Sequence, residues 1–305
     1  MKNNKLHIFF LFMAALLWGT TFVAQDIGAA YVGPWTYLAV RSWIAVLFLT
    51  PVIPVMDRIA DWRGVDNRRP RSSDERKMLI FAGTVSGIML GAASVTQQIG
   101  IGYTTASKAG FITALYVVIV PLLSIFVKKK PGPQIWFCVF FSLLGMYLLC
   151  MTSERLRLEV GDAWVLLCAF LFALEILILD HYSPLLDGVR LCRMQFLVIA
   201  VLSTAVMIPA EHPTAEMLRL GLPSICYAGV VSSGIAYTPQ IFGQEGVNPS
   251  LASLVMSLES VFAALSGWVI LHERLSPREL AGCALMFLAI LLAQVEIHPA
   301  RKKNA

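Results

Sequence analysis

Charged residues are scarce in this sequence, at 14% of 305 positions, whereas hydrophobic residues make up 57%. Soluble domains carry roughly 25% charged residues, so this balance excludes an ordinary soluble domain. The net charge is only +5, and the basic residues lie in short segments between apolar runs. A nucleic-acid surface needs basic residues grouped on one folded polar face, so we expect no nucleic-acid partner.

Motifs for cofactors and catalysis are also missing. The sequence contains no glycine-rich phosphate-binding loop, no Ser/His/Asp set and no metal-ligand cluster with usable spacing. Its six cysteines form no CxxC or Cys/His pattern and fall within or beside apolar runs, as small buried residues do. We therefore expect no cofactor, no metal and no enzyme activity, and an ATP-driven pump has no support.

Apolar runs of about twenty residues dominate the chain instead. Such a run crosses a hydrocarbon layer of ~30 Å as a helix at 1.5 Å per residue. Lipid leaves backbone polar groups without partners, and the runs show no two-fold alternation, so each run is predicted to be helical. The sequence predicts an all-α polytopic membrane protein with ten spans, near residues 6–25, 35–56, 78–97, 106–127, 134–151, 162–180, 191–209, 219–241, 249–271 and 278–295.

Basic residues between these runs predict the orientation. With the N-terminus inside, seventeen of the 24 Lys and Arg residues fall on the inner side and six on the outer side. Cytoplasmic loops carry such an excess, so we expect both termini to face the cytoplasm, in a bacterial-type inner membrane. Residues 57–77 hold seven of these cations together with several acidic residues, and we expect a solvated linker there.

The two halves of the chain repeat each other. An offset of 143 positions pairs Gln97 with Gln240 and gives nine identities over residues 91–122, where this composition would give roughly two or three. Five spans per repeat is an odd number, so the second repeat must enter the membrane inverted. The sequence therefore predicts a first repeat over residues 1–151, a second over 162–295 and a cytoplasmic tail over 296–305. Inverted repeats are typical of secondary transporters, whose solute site lies near the midplane between the halves.

Four charged residues fall within predicted spans. Glu259 lies near the middle of span nine, Glu175 lies deep in span six, Lys108 opens span four and Arg41 lies inside span two. A charge at mid-bilayer costs ~2.5 to 3.5 kcal/mol on insertion scales, so such residues are candidates for function. Two interpretations stay open: internal ion pairs, or groups facing a wet cavity that binds solute or a proton.

Uncharged candidates accompany them. Gln97 and Gln240 occupy equivalent places in the two halves, where they either join helices or contact solute. Pro239 leaves a backbone carbonyl unpaired and is expected to kink span eight. Trp18 and Tyr116 either pack internally or form aromatic walls of a cavity. The glycines at 83, 87 and 91 predict close packing of span three against another helix.

Two stretches of the sequence resemble a known family. QQIGIGYTTASKAGFITALYVVIVPLL and GQEGVNPSLASLVMSLESVFAALSGW resemble the two repeats of the drug/metabolite transporter superfamily, in its ten-helix EamA-type branch, and LLWGTTFVA resembles its first helix. Many members have proline where this chain has Val117 and Ser260, so the resemblance does not predict a helix break there. It implies a secondary exporter or exchanger whose cavity would involve Trp18, Gln97, Tyr116, Glu175, Gln240 and Glu259.

These observations lead to one main hypothesis and two alternatives. The main hypothesis is a secondary transporter that moves a small metabolite, amino acid or drug by alternating access, with Glu259 as the leading candidate for coupling to protons or another cation. The first alternative is a membrane-embedded enzyme. The second is a sensor or assembly subunit that does not transport.

Overall fold

The computed structural model describes residues 4–64, 66, 68–103, 106–128, 131–150, 160–270 and 276–294. These residues form helices joined by turns and short irregular segments, with no strand among them. The helices are α1 (Asn4–Ala29), α2 (Pro34–Arg63), α3 (Ser73–Ile101), α4 (Ala106–Thr113), α5 (Tyr116–Ser124), α6 (Pro133–Cys150), α7 (Val160–Tyr182), α8 (Gly188–Ala210), α9 (Ala215–Tyr227), a π-helical segment (Ala228–Ala236), α10 (Tyr237–Gln244), α11 (Pro249–Met256), α12 (Glu259–Ile270) and α13 (Pro277–Gln294).

The prediction that the apolar runs are helical is confirmed. Each of the ten predicted runs coincides with one helix or with consecutive helical pieces. Within the described ranges, seven helical stretches are long and apolar enough to cross a bilayer, and two shorter apolar stretches cover Ala109–Ser124 and Pro133–Leu149. The chain is thus an all-helical protein of the multi-pass type, and the number of ten spans stays a prediction.

The segment 57–77 differs from the expected solvated linker. Helix α2 continues past its apolar run to Arg63, where Gly64 ends it in the left-handed conformation with φ 63°. Helix α3 begins at Ser73 because Ser72 and Glu75 form a reciprocal capping box. Between the two helices, Arg68 forms an ion pair with Glu245 of the second half, and Arg69 pairs with Asp57 on α2. The prediction considered charge density alone and therefore missed this docking.

Two apolar runs are interrupted at equivalent places. Helix α4 gives way to α5 at Ala114–Leu115, and α11 gives way to α12 at Ser257–Leu258, 143 positions later. Backbone bonds of the tighter i to i−3 type bridge both breaks, for example from Val117 N–H to the Ala114 carbonyl at 3.0 Å. Both breaks form without proline, so the family pattern was not a sufficient guide here.

The expected distortion in span eight takes the form of a π-helical segment. It covers Ala228–Ala236 and ends immediately before Tyr237, two residues before Pro239. Proline lacks an N–H and its ring crowds the preceding turn, which favours a wider hydrogen-bonding pattern there. Helix α3, the repeat counterpart of this stretch, is regular throughout. The two halves therefore differ most at this point.

Helix packing follows small residues. The predicted glycine ridge of α3 lies against α8, and a Cβ at Gly87 would lie 2.8 Å from the Gln195 carbonyl oxygen. Helix α6 approaches α13 equally closely, because Gly145 faces Gly282. Other tightly packed pairs are α3 with α7, α2 with α8, α2 with the π-helical segment, α1 with α10 and α12, and α5 with α7.

Arg41, Glu175 and Glu259 are buried inside the bundle, and its outer surface is apolar. Large hydrophobic residues such as Leu47, Phe81, Leu166 and Leu291 are half or more exposed on the outer faces of the helices. Soluble monomers rarely expose apolar surface on this scale. A lipid bilayer is the environment that such a surface fits.

Candidate functional site

One internal cavity brings together side chains from both halves of the chain. Its free space amounts to about 40 Å³, which is room for about three water molecules. The lining comes from α1, α2, α3, α5, α7, the π-helical segment, α10, α11 and α12, and it consists of Trp18, Phe22, Gln25, Arg41, Ser94, Gln97, Tyr116, Phe172, Glu175, Ile176, Ser232, Tyr237, Gln240, Met256 and Glu259.

Glu259 meets Tyr116 at the helix breaks. The two residues begin α12 and α5, and the Tyr116 hydroxyl donates a 3.0 Å hydrogen bond to Glu259 Oε1. Both side chains are buried. No hydrogen bond from another described residue reaches Glu259 Oε2. The carboxylate therefore has one oxygen held by the protein and one available in the cavity.

Glu175 is held differently, by two amides. Gln195 Nε2 on α8 donates to Oε1 at 3.1 Å, and Gln240 Nε2 on α10 donates to Oε2 at 3.4 Å. Only 1% of the Glu175 surface is exposed. Both of its oxygens accept a hydrogen bond, so this carboxylate ties α7 to α8 and α10 as well as lining the cavity.

Arg41 is the cation of the cavity, and it lies apart from both carboxylates. Its guanidinium forms no salt bridge or hydrogen bond with another described residue, and its buried Nε has no partner. The nearest aromatic ring is that of Tyr37, one turn earlier in α2, with Cζ 6.0 Å from the ring centroid. Internal ion pairing of Arg41 with Glu175 or Glu259, one of the two open interpretations, is absent among the described side chains.

Aromatic rings and further amides complete the lining. Trp18 packs against Tyr237 with ring centroids 4.8 Å apart, and its indole N–H has no hydrogen-bond partner. The Tyr237 ring in turn lies edge-on against Phe196 on α8. Gln97 donates to the Thr113 hydroxyl at 3.2 Å, so it joins α3 to α4 while facing the cavity.

The structure thus gathers seven of the eight candidate residues around one cavity. Lys108 belongs to α4, and its side chain lies outside the described part of the structure. Sequence reasoning missed Gln195 and Tyr237. Gln195 could have been found by the signal that identified Gln97, an amide inside an apolar run. Tyr237 lies two residues before Pro239 in the distorted span, and no local pattern marked its ring as a cavity wall.

An ion-paired cluster ties the two halves together at one end of the bundle, which we call the arginine end. Arg190 on α8 holds Asp57 on α2 with two hydrogen bonds of 3.0 and 2.7 Å. Arg68 reaches Glu245 at 2.8 Å and the Ser183 carbonyl at 2.8 Å. The hydrogen bond to Glu245 raises the pKa of the Arg68 guanidinium, and burial raises the pKa of the neighbouring Asp187 carboxyl.

At the opposite end of the bundle the Glu211 carboxylate joins the turn after α8 to α2. Glu211, in the turn after α8, accepts the backbone N–H groups of Trp35 and Thr36 at 2.9 and 2.8 Å. It also accepts the Thr36 hydroxyl at 2.6 Å. These N–H groups belong to the first turn of α2, where helix N–H groups have no partner within the helix and the dipole favours an anion.

Among the described residues no group of three or more His, Cys, Asp or Glu side chains is placed to hold a metal ion. The five described cysteines are free, and four of them are buried. These four lie inside the bundle as the sequence predicted, and Cys226 is half-buried.

The helical bundle, its apolar exterior and its enclosed polar cavity define a multi-pass α-helical membrane protein. The chain belongs to the EamA-like transporter family, whose model matches residues 5–151 and again residues 159–294. The predicted family is therefore confirmed. Membership in a transporter family implies that the protein's partner is a small-molecule solute.

Similar proteins cover nearly the whole chain. An uncharacterized transporter of Archaeoglobus fulgidus is 29% identical over 294 residues, which is 94% of this chain and 85% of that protein. The uncharacterized transporter YwfM of Bacillus subtilis is 25% identical over 316 residues, which is 100% of this chain and 98% of that protein. A solved crystal structure matches with a TM-score of 0.73 at 17% identity, covering 94% of this chain and 96% of that one. At that identity the likeness shows the fold alone.

Proposed function

We propose that this protein is a secondary transporter that moves a small solute through the cavity by alternating access. The observation that carries the proposal is the cavity itself. It is lined from both halves of the chain, it contains two carboxylates and a guanidinium, and it lies inside a bundle with an apolar exterior. Charged groups are costly in a membrane interior and are kept where they serve a pathway.

An inverted repeat supports this mechanism. The family model matches the chain twice, over residues 5–151 and 159–294. The helix breaks fall 143 positions apart, at the same offset that aligns the sequence with itself. Corresponding helices of the two halves also pack in corresponding ways. Helix α3 packs on α7 as α9 and α10 pack on α1, and α5 packs on α7 as α12 packs on α1. We propose residues 1–151 and 162–295 as the two repeats, which rock about the cavity between them.

Glu259 is our candidate for coupling to protons. It begins α12 at a helix break, is buried, and keeps one carboxylate oxygen without a hydrogen bond from the described residues. A carboxylate in this position can take up a proton from one side of the membrane and release it to the other as the halves move. Glu175 is the weaker candidate because both of its oxygens are held by amides.

We place both termini, the arginine end and residues 296–305 on the cytoplasmic side of the inner membrane. The support is the distribution of basic residues, seventeen on the inner side against six on the outer. Export is then movement from the arginine end toward the Glu211 end.

The test begins with a growth-inhibition screen of overexpressing and deletion cells against amino acids, nucleosides and cationic drugs. A compound class to which resistance changes is then measured as flux in vesicles reconstituted with wild-type protein, Glu259→Gln and the control Glu216→Gln, whose side chain is exposed at the start of α9. We expect gradient-driven flux that Glu259→Gln abolishes or makes independent of pH, and that Glu216→Gln preserves.

Full, pH-dependent transport by Glu259→Gln would remove the coupling role and leave an uncoupled exchanger. No flux across a broad panel would favour a sensor or assembly subunit. A product formed in detergent without any gradient would favour a membrane-embedded enzyme.

A further inference from the structure

The cavity offers more hydrogen-bond donors than acceptors that remain free. Both oxygens of Glu175 accept amide N–H groups, and Glu259 accepts the Tyr116 hydroxyl. The guanidinium of Arg41 and the indole N–H of Trp18, by contrast, have no partner among the described residues. The free acceptors among the described lining residues include Gln240 Oε1 and the second oxygen of Glu259. The site therefore mainly lacks hydrogen-bond acceptors, and the strongest donor without an acceptor is the Arg41 guanidinium.

Arg41 is also too deeply placed to be satisfied by bulk water. Only 5% of its surface is exposed, and it lies on α2 about two turns from the start of that helix at Pro34. A buried charge without a counter-ion is strongly unfavourable, and guanidinium groups are normally retained in such places to bind a carboxylate or phosphate with two parallel hydrogen bonds. The carboxylates already present in the cavity do not supply that partner.

We propose that Arg41 anchors an anionic group of the transported solute, so that the cavity selects small organic carboxylates with an apolar or aromatic body. This inference rests on the proposed transport function and gives its solute a chemical class. The Arg41 guanidinium donates two parallel hydrogen bonds to the carboxylate of the solute. The body of the solute lies among Trp18, Phe22, Phe172 and Tyr237.

The walls of the cavity agree with this class, because aromatic rings from α1, α7 and α10 supply apolar contact area. The free space in this conformation is about 40 Å³, so the cavity must widen to take up the solute. A solute that carries a donor group as well can reach the free oxygen of Glu259. A simple organic cation would leave Arg41 without a partner and would add a second positive charge beside it.

The test is a binding panel of matched pairs, measured in detergent by ligand-dependent thermal stabilisation and by equilibrium dialysis. Each pair consists of a carboxylate and its primary amide with the same body: aromatic, branched or linear, with and without an amino group. The proteins are the wild type, Arg41→Gln, Arg41→Lys and the control Arg278→Gln, whose side chain lies over Tyr147 at an exposed position on α13.

We expect the wild type and Arg278→Gln to prefer carboxylates over their amides by about 10- to 100-fold in Kd for the bodies that fit. Arg41→Gln is expected to lose this preference and to keep its affinity for the amides. Arg41→Lys keeps the charge but not the fork, so a reduced preference is expected. If Arg41→Gln does not give a folded protein by gel filtration and melting, the reduced preference of Arg41→Lys, with unchanged amide binding, carries the test.

The anion site is overturned if no carboxylate binds the wild type better than its amide, or if folded Arg41→Gln keeps the preference. Binding and flux of amides or amines alone would overturn the solute class and leave the transport function standing. Carboxylate binding without flux of any bound compound in vesicles would instead overturn the transport function and leave the anion site in place.

Discussion

Tyr116 and Glu259 are 143 residues apart in the chain, which is the offset of the internal repeat, and the Tyr116 hydroxyl donates a 3.0 Å hydrogen bond to the Glu259 carboxylate. Each begins the second piece of an interrupted helix. Counterparts of two repeats can touch each other only where the halves meet. This contact therefore lies at the junction between the two halves.

Removing that hydroxyl tests how much the junction contributes. In Tyr116→Phe, Glu259 loses its one hydrogen-bond donor among the described residues, and we expect the free energy of unfolding to fall by about 1 to 3 kcal/mol, with reduced flux. The matched control is Tyr227→Phe, because the Tyr227 hydroxyl bonds Thr20 at 2.8 Å on a 39% exposed ring. Chemical denaturation in detergent measures both variants. Equal losses in the two would contradict a special role for the junction.

Glu175 provides a second test, since its two amide partners respond to shape as well as charge. Glu175→Gln keeps an acceptor oxygen, and a flip of the Gln240 amide can present its free Oε1 to the new NH₂ group. We expect this variant to melt close to the wild type. Glu175→Leu leaves both amides without an acceptor, which costs about 1 to 3 kcal/mol for each. Similar melting of the two variants would show that Gln195 and Gln240 find other partners.

The inverted arrangement can be tested by labelling. Ser73 begins α3 and Glu216 lies in the first turn of α9, 143 positions later, and both are exposed. With a membrane-impermeant thiol reagent, we expect Glu216→Cys to react in intact cells and Ser73→Cys only after permeabilisation. Wild-type protein gives the background from its own cysteines. Reaction of both positions from the same side would refute the inversion of the second half.

The arginine end can be tested by a double-mutant cycle on Asp57 and Arg190. Both side chains are about one-fifth exposed and share two hydrogen bonds. We expect a coupling energy of about 1 kcal/mol between Asp57→Asn and Arg190→Gln, reduced at high salt. The control pair, Asp74 and Lys77, is separated by 3.2 Å but is 92% and 75% exposed, so its coupling should be smaller. Equal coupling in both cycles would mean that the cluster adds no strength to this end.

Because α3 packs closely on α8, one methyl group added at Gly87 is expected to destabilise the protein. A Cβ at Gly87 would lie 2.8 Å from the backbone oxygen of Gln195, whereas a Cβ at Gly110 on α4 would have open space within 4 Å. Gly87→Ala is expected to lower the free energy of unfolding by about 1 to 3 kcal/mol. Gly110→Ala is expected to be neutral or slightly stabilising, because alanine favours the helix. Melting curves compare the two, and no loss in Gly87→Ala would place the helices farther apart.

Several features of this fold follow from the sequence because they are local. Apolar runs of span length predict helices, and a polar residue inside such a run predicts an inward-facing side chain, as Glu175, Gln97 and Gln240 show. The family was also evident, since long motifs around Tyr116 and Glu259 carry the resemblance. These signals need no knowledge of which helix packs against which.

The remaining features depend on contacts between distant segments. Nothing near Glu175 in the chain indicates that Gln195 will bind it, and nothing near Arg41 indicates that both carboxylates will be occupied elsewhere. The helix breaks at Leu115 and Leu258 occur without proline, so they reflect packing of the halves and not a local breaker. The docking of residues 57–77 was missed for the same reason, since Glu245 and Arg190 become neighbours of that segment only in the folded bundle.

The two ends of the bundle are fastened by bonds that respond differently to their surroundings. Glu211 accepts backbone N–H groups, so moderate salt should weaken its contacts little. The contacts at the arginine end are ion pairs of guanidinium groups, which dissolved ions screen. Raising the ionic strength therefore weakens the contacts at the arginine end more than those at the Glu211 end. If the two halves rock as we propose, a change of buffer alone alters how often each end of the bundle opens.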